Sequence, residues 1–258
     1  MTSLHDFYDP DLYDRKVGLS PRVEELYTAA LAPVSLPATV MELGCGTGDV
    51  LRPLVRKGFR VIGVDRSAAM LQRCRQHLES EGLQPQTDLV EMTLPALPDT
   101  TAVDAIIAPN DCISHLLTND LVLELFRNAR RVLSEKNGVL MLDVSRFNVA
   151  YLGKLAGPDG DLTRTHGIYE LTDDQYLRVG EQSRYRPDDG VLTCSFRYEL
   201  LSSSGEVESV WYRTLRMYPR RAQEITMLLE LAGFSVVRVQ TTGLPAGMDS
   251  VFVEAALR

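Results

Sequence analysis

Three glycines at alternate positions follow an acidic residue in the segment Glu42–Gly48, which reads Glu-Leu-Gly-Cys-Gly-Thr-Gly. Glycine alone lets the backbone turn this sharply and leaves room for a ligand to lie against it. A helix predicted to start after this loop offers unpaired N–H groups at that end. About twenty residues later, Asp65 ends a second apolar segment, where nucleotide-binding folds place the carboxylate that binds ribose hydroxyls. Together these features predict a site for a ligand that carries a ribose.

The spacing of the glycines also bears on the class of ligand. A dinucleotide fingerprint, G-x-G-x-x-G, sets a pyrophosphate on the helix N-terminus. Its third glycine would fall where this chain has Asp49. With Glu42 beside the loop, we expect a ligand that carries a positive group and no pyrophosphate. A nicotinamide-dependent oxidoreductase and a non-catalytic cofactor-binding protein are the alternatives from other functional classes.

At these residues the chain resembles the Rossmann-like (class I) S-adenosylmethionine-dependent methyltransferases. Their first motif is E/D-x-G-x-G-x-G, and their second strand ends in an acid. The resemblance implies S-adenosyl-L-methionine as the cofactor and requires no metal. Methyl transfer is an in-line displacement, so the protein must chiefly hold the acceptor close to the methyl carbon and aligned with it. The expected cofactor-binding residues are Glu42, Leu43, Gly44, Cys45, Gly46, Gly48, Asp65, Arg66, Met70, Glu91, Met92 and Asn110.

The segment Ala108–His115, with a histidine five residues after Asn110, narrows the resemblance. It is similar to that of bacterial sugar amine N,N-dimethyltransferases and antibiotic-tailoring methyltransferases. These enzymes share an early Tyr-Asp pair, here Tyr8-Asp9 or Tyr13-Asp14. The segment lacks the Asn/Asp-Pro-Pro-Tyr motif of enzymes that methylate nucleic-acid amino groups. The resemblance implies N-methylation of a small natural product or metabolite. O- or C-methylation, with His115 or Glu170 as base, is the alternative. The candidate catalytic residues are His115, Tyr13 and Glu170.

Apolar runs alternate with segments of helical period over most of the chain, which predicts a parallel sheet with helices on both faces. Strands are predicted near 39–43, 60–64, 87–92, 103–108, 138–144, 235–241 and 250–256. Helices are predicted near 49–57, 67–81, 120–134 and 221–231. The fold class expected is α/β: a Rossmann-like, mostly parallel seven-stranded sheet with an inserted antiparallel β-meander cap.

The meander is predicted from three alternating segments at 176–185, 191–201 and 206–217, joined by tight turns. We expect an N-terminal arm and helix at 1–35, a cofactor-binding domain at 36–145 plus 221–258, and a substrate cap at 146–220. An aromatic cap can cover a ring-shaped substrate and exclude water. The candidate substrate-binding residues are Tyr169, Arg197, Tyr198, Trp211 and Arg213.

Composition limits the partners. The 258 residues carry a net charge of −8, which disfavours a nucleic-acid partner because such proteins usually present a basic face. No apolar run approaches the length of a membrane span, and the four cysteines form no C-x-x-C pair. We therefore expect a cytoplasmic enzyme, monomeric or homodimeric, with a small-molecule substrate, no membrane partner and no metal site.

Overall fold

The structure is a computed structural model and describes residues 9–14, 23–100, 102–157, 162–242 and 250–258. The chain divides into two compact units. The parallel-sheet unit comprises Ser20–Arg146 and Arg220–Arg258, and the antiparallel unit comprises Met1–Leu19 and Phe147–Pro219. None of the described helices is both long and apolar enough to cross a lipid bilayer.

The described elements follow the alternation expected from the sequence. The helices are α1 (Pro10–Asp14), α2 (Val23–Ala30), α3 (Leu51–Arg56), α4 (Ala68–Glu81), α5 (Asn119–Val132), α6 (Val149–Ala156) and α7 (Ala222–Leu231). The strands are β1 (Thr39–Leu43), β2 (Arg60–Asp65), β3 (Thr87–Glu91), β4 (Ala105–Ala108), β5 (Val139–Ser145), β6 (Leu162–Thr172), β7 (Gln175–Arg186), β8 (Val191–Ser202), β9 (Val207–Met217), β10 (Phe234–Thr241) and β11 (Ser250–Leu257).

The parallel-sheet unit is built on seven strands in the order β10-β11-β5-β4-β1-β2-β3. Strands β1 to β5 are parallel, and β10 and β11 add an antiparallel hairpin at one edge. Side chains of α5 and α7 pack on one face of the sheet, and side chains of α2, α3 and α4 pack on the other. This confirms the predicted fold class. Strand β1 has β2 on one side and β4 on the other, so the strand order reverses there and opens a crevice at the carboxyl ends.

The sequence explains why the central strands are buried on both faces. Every residue of Ala105–Ala108 is buried, as expected for a short apolar strand between helical layers. Helix α4 begins at Ser67, whose hydroxyl accepts a hydrogen bond from the Met70 N–H, and ends at Gly82, whose φ is +68°. The N-cap and the left-handed glycine fix both ends of the helix that follows β2.

The antiparallel unit contains a four-stranded sheet in the order β6-β7-β8-β9. Three of these strands match the predicted meander. The sequence analysis missed β6, whose register shifts near Gly167 and again before Thr172, so its side-chain alternation is interrupted. It also missed α6, whose buried Leu155 packs against Leu192 and Cys194. Helix α1 belongs to this unit, and α2 belongs to the parallel-sheet unit.

Candidate active site

The glycine loop after β1 is held against the end of β2 by backbone hydrogen bonds. The N–H groups of Gly44 and Cys45 both donate to the Val64 carbonyl, at 2.7 and 3.1 Å. Gly44, Gly46 and Gly48 all have positive φ, at +69°, +54° and +92°. Each position therefore requires a conformation that other residues rarely adopt, and the loop shape follows directly from the three glycines.

Two of the loop glycines, Gly44 and Gly48, have no space for a side chain. A Cβ at Gly44 would lie 2.7 Å from the Cys112 Sγ, and a Cβ at Gly48 would lie 2.8 Å from the Cys74 Sγ. Cys45 within the loop is buried, and burial together with the charge of Glu42 raises the pKa of its thiol well above the usual range. The thiol therefore stays protonated at neutral pH and is a small packing group with no thiolate character.

Asp65 at the end of β2 accepts two backbone hydrogen bonds. Its Oδ2 accepts from the Gly46 N–H and its Oδ1 from the Ser67 N–H, both at 2.9 Å. Burial raises the pKa of Asp65, and these two bonds oppose that effect. The carboxylate thus ties the glycine loop to the start of α4, and its contact with a ribose stays a prediction.

Glu42, near the end of β1, is buried, and no cationic side chain of the described residues forms an ion pair with it. It is 2% exposed, and its Oε2 has no hydrogen-bond partner in the described structure. Burial raises the pKa of this carboxyl well above its ordinary value, and the nearby charges of Asp49 and Asp65 raise it further. Thr47 in the same loop also buries an unpartnered hydroxyl. An acidic site of this kind suits a ligand that brings a positive charge and hydrogen-bond donors.

The turn after β4 has a strained backbone and is held by hydrogen bonds to a buried carboxylate. Asn110 and Asp111 have φ of +58° and +55°, a left-handed conformation that is uncommon for residues other than glycine. Their N–H groups donate to Asp143 at 3.0 and 3.2 Å. Tyr27, which is fully buried, donates its hydroxyl to the same carboxylate at 2.8 Å. Asp143 and Tyr27, which the sequence analysis did not single out, therefore hold Asn110 at the mouth of the crevice.

The other expected cofactor residues lie around these turns in different degrees of burial. Met70 is buried on α4, and Arg66 is exposed just before that helix. Glu91 pairs with Asp65 across β3 and β2, which brings the ends of the two strands together. The Met92 N–H donates to the Asp65 carbonyl at 2.9 Å. Leu43 packs in the hydrophobic core beneath the loop.

The three candidate catalytic residues fall in different units. His115 is half-buried on a short 3-10 helix, Cys112–His115, which directly follows the strained turn. Tyr13 lies on α1, and Glu170 is exposed on β6, both in the antiparallel unit. Tyr8, of the alternative Tyr-Asp pair, lies outside the described residues.

Four of the five candidate substrate residues share one face of the antiparallel sheet. The rings of Tyr198 and Trp211 stack with centroids 5.5 Å apart, and Tyr169 packs against the same apolar cluster. Arg213 faces Tyr198 on this side and lies 3.8 Å from Asp9. Arg197 lies on the opposite face because side chains alternate along a strand.

The sequence analysis missed a polar cluster on the Tyr198 face, in which Glu181, Ser183 and Cys194 are buried and His166 is exposed. The Nε2 of His166 lies 2.6 Å from Glu181, and Ser183 bonds to both Glu181 and the Cys194 thiol. Burial raises the pKa of Glu181, but the hydrogen bonds from His166 and Ser183 outweigh it and hold the pKa below its usual value. The residues lie on three strands, so no local motif signals them.

Comparison with known proteins agrees with this geometry. The model of a methyltransferase domain family matches residues 40–136. The carboxy-S-adenosyl-L-methionine synthase of Pseudomonas paraeruginosa (strain DSM 24068 / PA7) is 31% identical over 218 residues, covering 80% of this chain and 83% of that protein. The CcbJ methyltransferase from Streptomyces caelestis superimposes with a TM-score of 0.77 at 22% identity, covering 99% of both chains. The sugar N-methyltransferase KedS8 from Streptoalloteichus sp ATCC 53650 gives a TM-score of 0.75 at 18% identity, covering 97% of this chain and 94% of that one.

The sequence motif, the sheet order and the relatives converge. The solved structures share the fold, and the matched domain includes the glycine loop and Asp65. The chain belongs to the Rossmann-like S-adenosylmethionine-dependent methyltransferases and is an enzyme whose cofactor is S-adenosyl-L-methionine.

Proposed function

We propose that this enzyme transfers a methyl group to a nitrogen atom of a small organic molecule, a natural product or metabolite. The observation that carries the proposal is the buried, unpartnered Glu42 carboxylate beside Asp49 and Asp65, which suits a cationic adenosyl ligand. Support for a nitrogen acceptor comes from the fold likeness to KedS8, which is named as a sugar N-methyltransferase.

The residues present fit the cofactor. The loop of Gly44, Gly46 and Gly48 has no side chains to obstruct an approaching ligand, and Glu42 and Thr47 have buried oxygen atoms without partners. Asp65 would accept hydrogen bonds from the ribose hydroxyls, and Glu42 would face the cationic end. When bound, S-adenosyl-L-methionine supplies a methyl group already activated on a sulfonium.

The protein's own task is then orientation and proton removal. Asp143 fixes the turn that carries Asn110, so the crevice mouth keeps its shape while an acceptor binds. His115, five residues after Asn110, is our candidate to accept the proton that a protonated amine must lose before it attacks. We propose that the aromatic face of the antiparallel unit, with Tyr169, Tyr198, Trp211 and Arg213, binds the acceptor. Arg197, on the opposite face, is placed away from these four.

The test is turnover with a panel of small amines, amino sugars among them, and matched hydroxyl compounds. Formation of S-adenosylhomocysteine and of a product heavier by one methyl group is followed by mass spectrometry. Methylation of the amines alone supports the proposal, and methylation of the hydroxyl compounds alone contradicts it. His115→Gln should lower the rate most at low pH, because fewer acceptor amines are then unprotonated.

Glu170 provides the matched comparison for the oxygen- or carbon-methylating alternative. That alternative requires a base, so Glu170→Gln should reduce turnover and change its pH profile. On the nitrogen-methylating proposal, Glu170→Gln leaves the pH profile unchanged. We also propose that the enzyme is monomeric or homodimeric, that it is cytoplasmic and that it has no nucleic-acid partner.

A second candidate function follows from the carboxy-S-adenosyl-L-methionine synthases, which are 31% identical over most of the chain. An enzyme of that kind would convert the cofactor into a carboxylated form, with the carboxyl group supplied by a second substrate. Mass spectrometry of the adenosyl product separates the two. Methyl transfer yields S-adenosylhomocysteine, whereas the alternative yields a cofactor heavier by a carboxyl group.

A further inference from the structure

The face of the antiparallel sheet opposite Tyr198 and Trp211 carries a groove of about 550 Å³. We call it the arginine groove. It is lined by Gln182, Arg184, Arg186, Thr193, Ser195 and Arg216. All six belong to β7, β8 and β9, so the groove lies wholly within one rigidly hydrogen-bonded sheet.

Strand register sets the order of groups along the groove. Thr193 on the central strand pairs with Arg184 on one side and Arg216 on the other. Directly opposed residues in antiparallel strands have Cβ atoms about 5 Å apart, so two arginine side chains start on either side of one threonine. Two residues further along, Ser195 pairs with Gln182, which adds a second hydroxyl and an amide beside the first row.

One carboxylate lies at the edge of the groove and offsets part of its positive charge. Asp189, at the turn after β7, forms an ion pair with Arg186 of the groove lining and interacts electrostatically with Arg216. Glu199, further along β8 on the same face, is bound by Arg178 and Arg197. Within the described part of the chain, no carboxylate lies within ion-pair distance of Arg184 or Arg216. A protein with a net charge of −8 therefore has a local excess of positive charge at the groove, where three arginines face one carboxylate, Asp189.

We propose that the arginine groove binds a small phosphate-bearing molecule, a phosphate ester or diphosphate. Guanidinium groups bind phosphate oxygens in pairs, and hydroxyl and amide donors complete the coordination. Gln182, Arg184, Arg186 and Arg216 are exposed, so a ligand would be held by charge and hydrogen bonds at an open surface. A long polyanion is disfavoured because the acidic molecule as a whole repels it. The site is separate from the cofactor residues and does not depend on the proposed acceptor chemistry.

The test is calorimetric titration of the full chain with inorganic pyrophosphate. Wild-type protein should give a saturable isotherm, with sulfate binding more weakly. Arg184→Gln and Arg216→Gln should each weaken binding about ten-fold, because each removes a charge-assisted hydrogen bond. Arg127→Gln, an exposed arginine on α5, is the matched control and should leave the affinity unchanged. A nucleoside diphosphate should bind more tightly than pyrophosphate if the ligand is organic, and equally if the groove takes the free anion.

Two results would overturn the proposal: no saturable heat at millimolar pyrophosphate, or equal affinity in wild type and the Arg184→Gln/Arg216→Gln double variant. A change in sedimentation coefficient in that variant, without pyrophosphate binding to wild type, would also overturn it in favour of a second copy on this face. Thermal midpoints check that the variants fold. S-adenosylhomocysteine titrations of the same samples report on the cofactor site independently.

Discussion

Asp65 combines two tasks in one side chain, because it fixes the glycine loop and presents a carboxylate to the crevice. In Asp65→Asn one carboxylate oxygen becomes an NH2 group, which then faces the N–H of either Gly46 or Ser67 and can no longer accept its hydrogen bond. We expect affinity for S-adenosylhomocysteine to fall about ten-fold or more. Calorimetric titration measures this. The control is Asp88→Asn on β3, where Asp88 forms an exposed ion pair with Arg60 of β2. Unchanged affinity in the Asp65 variant would contradict a ribose-binding role.

Asp143 should make stability depend on pH. Burial raises the pKa of Asp143 to about 6. The folded protein therefore keeps a proton between about pH 4 and about pH 6 that the unfolded chain has lost, so the free energy of unfolding falls as pH rises through that interval. The fall should be on the order of 1 to 3 kcal/mol. Asp111, with a pKa raised by burial to about 7, acts with the same sign over a slightly wider interval.

Urea unfolding across this pH range tests the prediction. Asp143→Asn should flatten the profile relative to wild type, and Asp120→Asn, at an exposed position on α5, should leave it unchanged. Tyr27→Phe should move the fall to higher pH, because the hydrogen bond from Tyr27 lowers the pKa of Asp143. Parallel profiles for wild type and Asp143→Asn would refute the assignment.

At this scale, the sequence revealed residues whose role is encoded locally. Glu42 to Gly48 form a continuous motif, and Asp65 stands at a fixed distance from it. Asp143 could not be found this way, since its partners lie 33 and 116 residues away along the chain. The alternation along residues 191–201 predicts Arg197 and Tyr198 on opposite faces of the sheet, and the structure has them so.

At the scale of elements, the connection from β1 to α3 and α4 leaves little room for change. Gly48→Ala forces a side chain into a left-handed position and against the buried Cys74 Sγ at 2.8 Å. Gly82→Ala incurs the same backbone penalty, with nothing within 4 Å of the new Cβ. We expect about 1 to 2 kcal/mol of destabilisation from the backbone in both. Overpacking should add about 1 to 3 kcal/mol at Gly48 alone.

Denaturant unfolding of the two variants measures the difference. Adding Cys74→Ala to Gly48→Ala should recover part of the loss relative to Cys74→Ala alone, because the clash is then removed. Equal destabilisation at both glycines would mean that packing against Cys74 contributes nothing.

Elements with strong periodicity were predictable, and those whose period is interrupted were not. Strands β1, β2 and β5 are apolar runs bounded by turn residues, so their positions followed from the sequence. Strand β6 has two register shifts and a glycine with φ of +139°, which interrupt its alternation of side chains. Its place in the sheet depends on hydrogen bonds to β7, which the local sequence pattern of β6 does not predict.

For the whole molecule, cofactor binding should appear as stability. S-adenosylhomocysteine at about 100 times its Kd should add about 2.7 kcal/mol to the free energy of unfolding of the unit that binds it. Differential scanning calorimetry, with and without the ligand, measures the shift in the midpoint. The Asp65→Asn variant should show a smaller shift at the same ligand concentration. A midpoint that does not move in wild-type protein would contradict binding to the native crevice.

The alternation of strands and helices predicted the parallel sheet, but it did not predict that α1 belongs to the antiparallel unit. Helix α1 joins the antiparallel unit through Leu12, which packs beside Leu177 and Tyr198, and through the pair of Asp9 with Arg213. These contacts link positions far apart in sequence, so neither composition nor periodicity signals them.

Because α1 belongs to the antiparallel unit, the segment 147–219 cannot be exchanged by recombination without affecting the contacts of α1. A chimaera that received only the segment 147–219 from a homologue would keep the resident α1, and Leu12 and Asp9 would meet a foreign surface. An exchange of the insert that preserves these contacts therefore also requires exchange of the segment that carries α1, or compensating substitutions at Asp9 and Leu12.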